Sequence, residues 1–458
     1  MGFKKRFLWG GSVSSMQTEG AYNLGGRGTS IYDVRTIDPK LSDWKDGIDY
    51  YHRYKEDHSL YQEMSINAIR TCLSWSRVIP DGEGEINQEG LKFYDDIVDD
   101  MISKGIEPIF CLYHFDMPLA LMEKYGGWQS RKVLDAFVRY ARIVIEHFKG
   151  RVKYYIPFNE QNICPMINMD DPTNKIEKTA KNRNQVQHHF FMASAWVAII
   201  CHETDPSIKC CGMVNYMTMY PKTNKPEDIF ATYKADRVFN QQTLEVLATG
   251  KYPNDLLSVY EKTGMPVMEK DDLQILAKGK SDIMTFSYYK SFVVDFEVMK
   301  DYDLQEELSI KTAGDRLLDN PNVKKTQWGT FIDPIGLRTA ANQIYNNYHL
   351  PIFLTECGLG IRETADENGY VDDQYRIDYL HDHILAIKKA VEIDGVDLIG
   401  FLTWGPIDIL SSQGDMDKRY GFIYVNRDNH DLKDMKRSKK KSFDWFKQVI
   451  ESNGEIIK

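Results

Sequence analysis

The chain has 458 residues, of which 42% are hydrophobic, 27% charged and 12% aromatic; 57 Lys and Arg against 67 Asp and Glu leave a formal charge of −10. That length buries a large core without disulfides or structural metals. The charged fraction excludes a largely disordered chain, and the acidic balance disfavours a nucleic-acid partner. The 8 Trp, 27 Tyr and 21 Phe serve a large core or stack on sugar rings, uses that composition does not separate.

Taken in chain order, "MGFKKRFLWGGSVSS" has basic residues but no apolar h-region, and its first strand candidate is "FLWGGSVSS". "INAIRTCLSW" follows, then the helical pattern "GLKFYDDIVDDMISKGI", the strand candidate "EPIFCLYHFD" and the helical "RKVLDAFVRYARIVIEHFKG", which stops at Gly150. Next come "VKYYIPFNE", "IKCCGMVNY", "IMTFSYY", "PIFLTECGLG" and "DLIGFLTWG", each short, apolar and rich in β-branched or aromatic residues. Eight such strands alternating with helices predict an α/β fold, a (β/α)₈ TIM barrel in one domain over residues 1–458. An open doubly wound sheet is the alternative, but no G-x-G-x-x-G follows the first strand. Residues 165–185 read as a surface loop leading into a helix. With 217–280 they form insertions that elaborate the βα loops walling the barrel mouth.

The longest tempting apolar stretch, Ala195 to Cys201, is far below the ~20 residues of a membrane span. Cys72, Cys111, Cys164, Cys201, Cys210, Cys211 and Cys357 form no C-x-x-C pair and no Cys/His array of zinc-ligand spacing. They read as reduced, buried thiols of a soluble cytoplasmic protein.

Chemistry in a barrel gathers at the C-terminal ends of the strands. There the sequence sets Gln17, Arg70, His114, Asn159 with Glu160, Asn215, Tyr289, Glu356 and Trp404. A lone Glu at a strand end is more often an arginine partner or a helix cap. Two carboxylates facing each other, with Arg70, His114 and Gln17 at equivalent places, suit glycosidic bond cleavage: one donates a proton while the other attacks or activates water. Arg70 near Glu356 is expected to hold it ionised. Burial of Glu160 beside that charge is expected to keep Glu160 protonated.

The segments "FLWGGSVSSMQTEGA", "LYHFDMPLAL…YGGW", "FNEQN", "TECGLG" and "LTWGPIDIL" together resemble the signatures of the family 1 glycoside hydrolases along the whole chain. The resemblance implies a retaining β-glycosidase with Glu160 as general acid/base and Glu356 as nucleophile. It implies further that Arg70 and Tyr289 attend the nucleophile, that Gln17, His114, Asn159 and Trp404 hold the glycone, and that Trp328 lines the aglycone side. No cofactor and no metal are implied.

Members of that family acting on plain sugars usually carry a Glu seven residues after the eighth-strand Trp, with a second Trp beside it; here Ser411 and Ser412 stand there. Lys418 and Tyr420 follow. Two hydroxyl donors and a cation suit a phosphate dianion, and the pattern resembles the 6-phospho-β-glycosidases. Ser411 as a turn residue and Lys418 with Arg419 as solvated loop charges are the bland reading. A Trp is common at the Ser412 position in 6-phospho-β-galactosidases, so its absence favours gluco substrates. The expected activity is hydrolysis of 6-phospho-β-D-glucosides, such as phosphorylated cellobiose or aryl glucosides. A 6-phospho-β-galactosidase, a dual enzyme, an ordinary β-glucosidase and a catalytically silent sugar-phosphate-binding protein remain as alternatives. The expected partner is the phosphorylated β-glucoside, without nucleic acid or membrane, and homo-oligomerisation is left open.

Two departures stand out. Cys357 replaces the usual Asn after the nucleophile and reads as a packing substitution. Thr330 replaces an aromatic that usually lines the leaving-group side, implying a wider site there. His52, His58 and "HHFF" at 188–191 read as helix residues without metal-ligand spacing. The basic run "KRSKKKS" reads as a solvated helix start.

Overall fold

The computed structural model describes residues 2–300 and 314–458. Eight parallel strands close into a barrel: β1 (Leu8–Ser12), β2 (Ala68–Cys72), β3 (Glu107–Cys111), β4 (Tyr154–Ile156), β5 (Lys209–Pro221), β6 (Ile283–Val294), β7 (Ile352–Cys357) and β8 (Leu398–Trp404). Each pairs with its sequence neighbours, and β1 closes the ring on β8 with Ser12 opposite Trp404. Parallel strands need crossovers, and helices supply them: Tyr50–Glu63, Gln88–Ser103, Arg131–His147, Ala180–Thr204, Gln242–Thr249, Pro334–Tyr348 and Gln374–Glu392. Lys441–Glu451 follows β8.

Both faces of the barrel wall are buried, which is why its strands read as continuous apolar runs. Inside, Ala68, Cys72, Ile109, Cys111, Ile156 and Met213 belong to a cluster separate from the larger core between barrel and helices. Cys72, Cys111 and Cys211 fill the barrel interior, and all seven cysteines are buried.

Two expectations need correction. Residues 165–185 are not simply a loop, because Cys164–Asp170 is helical before the long helix begins at Ala180. The "KRSKKKS" run is only partly solvated: Lys436 and Lys439 are exposed, but Arg437 and Lys440 are buried. Arg437–Lys439 pairs as a strand with Ile423–Val425, buried Arg437 grips Asp57 at 2.7 Å, and buried Lys440 lies 2.7 Å from Asp408 and against Glu363. The basic residues neutralise carboxylates that are remote in sequence. The histidines do sit on helices: His58 contacts Asp100, and His188 contacts Asp272 and Tyr252.

Within 217–280, β5 and β6 run on past the barrel to Pro221 and Val294 as a paired wall, with the helices Pro226–Asp236, Asn254–Thr263 and Asp272–Lys278 between them. No helix among the described residues is long and apolar enough to cross a membrane.

Candidate active site

At the C-terminal ends of the strands lies a cavity of about 440 Å³, open to solvent. Its lining brings together Gln17, His114, Asn159, Glu160, Asn215, Tyr289, Glu356 and Trp404 with Trp328, Thr330, Ser411, Ser412, Lys418 and Tyr420. Arg70 lies beneath, fully buried in β2.

Glu356, at the end of β7, forms an ion pair with the Arg70 Nη1 group and accepts a 3.0 Å hydrogen bond from the Tyr289 hydroxyl. Arg70 also donates to Asn159 Oδ1 at 2.6 Å, so one guanidinium orients residues from two strand ends. Glu160 accepts from Asn215 Nδ2 at 2.8 Å and from the Ser287 hydroxyl. Its backbone has φ +47°, a region costly for a side-chain-bearing residue. The neighbouring amides fix that conformation: Asn159 N donates to Tyr113 O and Gln161 N to Met213 O, both at 2.9 Å.

The electrostatics divide the two carboxyls. Burial, reinforced by the Glu356 charge, pushes Glu160 up to about 7. Burial raises Glu356 as well, despite Arg70 and the Tyr289 hydrogen bond pulling it down. Arg70 does favour the ionised form of Glu356, as expected, but desolvation outweighs it and leaves the net shift upward. The asymmetry survives because Arg70 bonds Glu356 directly, while Glu160 has only neutral donors. Tyr289 is held well above its usual range by burial and by both carboxylates, so it remains a donor. Burial, then the Arg70 charge, drives His114 well below its usual range, leaving a neutral ring.

His114 Nδ1 lies 3.2 Å from Cys72 Sγ, and its ring is tilted 35° to Trp404 at 5.6 Å. Cys72, Cys111 and His114 offer ligand atoms within 4.8 Å of one another. Sequence spacing could not reveal this group, which neighbouring strands β2 and β3 assemble in register. The adjacent Arg70 charge opposes a cation there. Cys357 packs against the Tyr379 hydroxyl at 3.5 Å, and burial pushes its thiol up to about 12, so it is no nucleophile. Gln17 accepts from Ser14 at 2.6 Å and donates to the Leu410 carbonyl, tying it to the loop after β8.

That loop carries Ser411, Ser412, Lys418 and Tyr420. The Ser411 hydroxyl accepts from Asp415 N at 3.0 Å and Gln413 N at 3.3 Å, so it shapes the turn and keeps its proton to donate. Lys418 has no carboxylate partner among the described residues, and its Nζ sits 5.6 Å from the Tyr420 ring centre and 5.7 Å from Trp328. Burial, then the Lys290 charge, lowers its pKa. The segment is anchored from below by an ion cluster that sequence reasoning missed. Arg419 binds Asp408 at 3.0 Å, Lys440 bridges Asp408 and Glu363, and Arg376 holds Glu363 while donating to Tyr420 O at 2.6 Å. Arg419 is therefore structural, while its neighbour Lys418 has no such partner among the described residues. At Gly360 a Cβ would lie 2.7 Å from Lys418 Cγ, so only glycine leaves room for that side chain.

Together these groups can protonate a leaving oxygen, present a carboxylate to an electrophilic carbon, hydrogen-bond a sugar and neutralise an anion. The sequence profile of Glycosyl hydrolase family 1 matches residues 1–455. An aryl-phospho-beta-D-glucosidase of Bacillus subtilis is 41% identical, covering 99% of this chain and 98% of its own. A 6-phospho-beta-galactosidase of Clostridium acetobutylicum is 34% identical over 98% and 96% of the two chains. Among solved structures, a family 1 β-glucosidase from Thermotoga maritima superposes with a TM-score of 0.87 at 30% identity, covering 99% of this chain and 98% of that one.

Proposed function

The chain belongs to glycosyl hydrolase family 1 and is a glycosidase; from that premise we propose that it hydrolyses 6-phospho-β-D-glucosides with retention, in the cytoplasm. Glu356 attacks C1 while Glu160 gives its proton to the glycosidic oxygen, so the aglycone leaves as an alcohol or phenol. The glycosyl ester on Glu356 removes the negative charge facing Glu160. Glu160 then takes a proton from water, which attacks C1 and releases Glu356 and β-glucose 6-phosphate. Arg70 and Tyr289 orient Glu356, and Gln17, His114 and Asn159 bind sugar hydroxyls against the face of Trp404.

The observation that carries the phosphate reading is Lys418, a cation in the sugar pocket without a carboxylate partner among the described residues, in the same lining as Ser411 and Tyr420. An unphosphorylated sugar would leave that charge unanswered, so the site discriminates against it. The Bacillus subtilis relative named as an aryl-phospho-beta-D-glucosidase supports the same reading. Ser412 favours the gluco over the galacto configuration. The test is kcat/KM on 4-nitrophenyl β-glucoside and β-galactoside, each with and without the 6-phosphate. Preference for phosphorylated glucoside is expected; equal turnover without the phosphate would overturn the reading.

A further inference from the structure

Beyond Lys418, the pocket holds a second ammonium that the scheme above does not use. Lys290 lines the cavity, is exposed to solvent at its mouth, and forms no ion pair or hydrogen bond among the described residues. Its place follows from a bulge. Ser287 pairs with Asn215, but Lys290 pairs with Met217, so Tyr288 and Tyr289 together oppose Tyr216. One extra residue reverses the alternation of β6 beyond that point. Lys290 therefore shares a face with Met217 and, two residues on, Phe292, both of which line the cavity.

The direction of the strands decides which part of a substrate meets it. Asn215 and Ser287, the partners of Glu160, lie one step inward on β5 and β6; Met217, Lys290 and Phe292 lie one step outward. Glu160 delivers its proton to the leaving oxygen, so the wall just outside it borders the leaving group. Lys290 feels the charges of Lys325, Glu160 and Asp319, and Lys418 across the pocket feels the charge of Lys290. Phe239, Met217 and Phe292 give the rim an apolar lining, which Thr330 shares. An apolar slot with one unanswered cation at its edge fits an aromatic ring bearing an anion.

We propose that Lys290 reads a negative charge on the aglycone, making aryl 6-phospho-β-glucosides with a carboxylate on the ring favoured substrates. This rests on the phosphoglucosidase reading and adds its leaving-group class. The test compares 4-carboxyphenyl with 4-carbamoylphenyl 6-phospho-β-D-glucoside, which match in shape and differ in charge, on the intact enzyme and on Lys290→Met. The wild type should favour the carboxylate by about tenfold in kcat/KM, carried by KM, and Lys290→Met should bring the ratio close to one. Absence of the preference in the wild type, or its persistence in the variant, overturns the proposal. So does a variant that keeps the ratio but loses selectivity for phosphorylated over plain glucosides, which would assign Lys290 to the sugar phosphate. Failure of the parent reading looks different: neither phosphorylated substrate would turn over while plain glucosides did. Unfolding temperature of the variant checks that it folds, as expected for a solvent-reaching side chain replaced by one of similar length.

Discussion

Replacing Lys418 by Ala removes one charge from the sugar pocket and leaves both carboxyls in place. Lys418 is half-buried, rests between the Tyr420 and Trp328 rings, and has no carboxylate to satisfy among the described residues, so nothing is left unpaired in the free variant. The loss is therefore felt only when a phosphate binds. A charge-assisted hydrogen bond contributes roughly 1.5–3 kcal/mol, and a desolvated ion pair more. About 3 kcal/mol corresponds to roughly a hundredfold fall in kcat/KM for a 6-phospho-β-glucoside. For the unphosphorylated glucoside the same substitution should change kcat/KM by less than about threefold, since no partner for the ammonium is present. Steady-state release of 4-nitrophenol from the two substrates measures both values. Equal losses on both would mean that Lys418 supports the loop rather than the phosphate, and the substrate assignment would fall.

Further expectations follow from the same geometry. With Glu160 held up to about 7 by burial and the Glu356 charge, the protonated acid is depleted as pH rises, so kcat/KM should fall above an apparent pKa near 7. Glu160→Gln should abolish that limb in the residual activity on activated aryl substrates. Because a raised carboxyl pKa stabilises the fold only below its unfolded value and the benefit is lost as pH climbs through the folded one, Glu160→Gln should gain stability over the wild type between about pH 4.5 and 7. The gain is on the order of 3 kcal/mol, and denaturant midpoints at pH 4 and 8 read it. Gly360→Ala drives a Cβ to 2.7 Å from Lys418 Cγ and should raise KM for phosphorylated substrates several-fold, with kcat nearly kept; an unchanged KM would show that the side chain relocates freely. Asp408→Ala strips Arg419 and Lys440 of a buried partner and should cost about 3–5 kcal/mol, visible as a lower unfolding temperature.

Much of the barrel and of its chemistry was legible because closed parallel strands write themselves plainly. Each buried strand is an apolar run, and the carboxyl that ends "IPFNE" and "IFLTE" lines the pocket. That Ser411, Lys418 and Tyr420 line one pocket was legible for a related reason, since they share one segment after β8. What escaped was set by contacts between distant segments. Lys440 looks like a solvated charge until Glu363 and Asp408 fold against it. Cys72, Cys111 and His114 meet only because β2 and β3 lie in register. Lys290 would face away from the pocket in a regular strand, and a one-residue bulge, which no local pattern marks, turns it inward. The Glu356 shift escaped because the local sequence shows the nearby cation but not the depth of burial that outweighs it.

The central claim, that Glu356 attacks the anomeric carbon of a 6-phosphoglucoside while Glu160 handles the proton, is tested most directly by trapping the ester. A 2-deoxy-2-fluoro 6-phospho-β-glucoside with an activated leaving group forms the ester faster than water clears it, and peptide mass spectrometry locates the adduct. The account predicts one fluorosugar phosphate per chain, carried on Glu356. An adduct on Glu160, or labelling only by the unphosphorylated analogue, would contradict it.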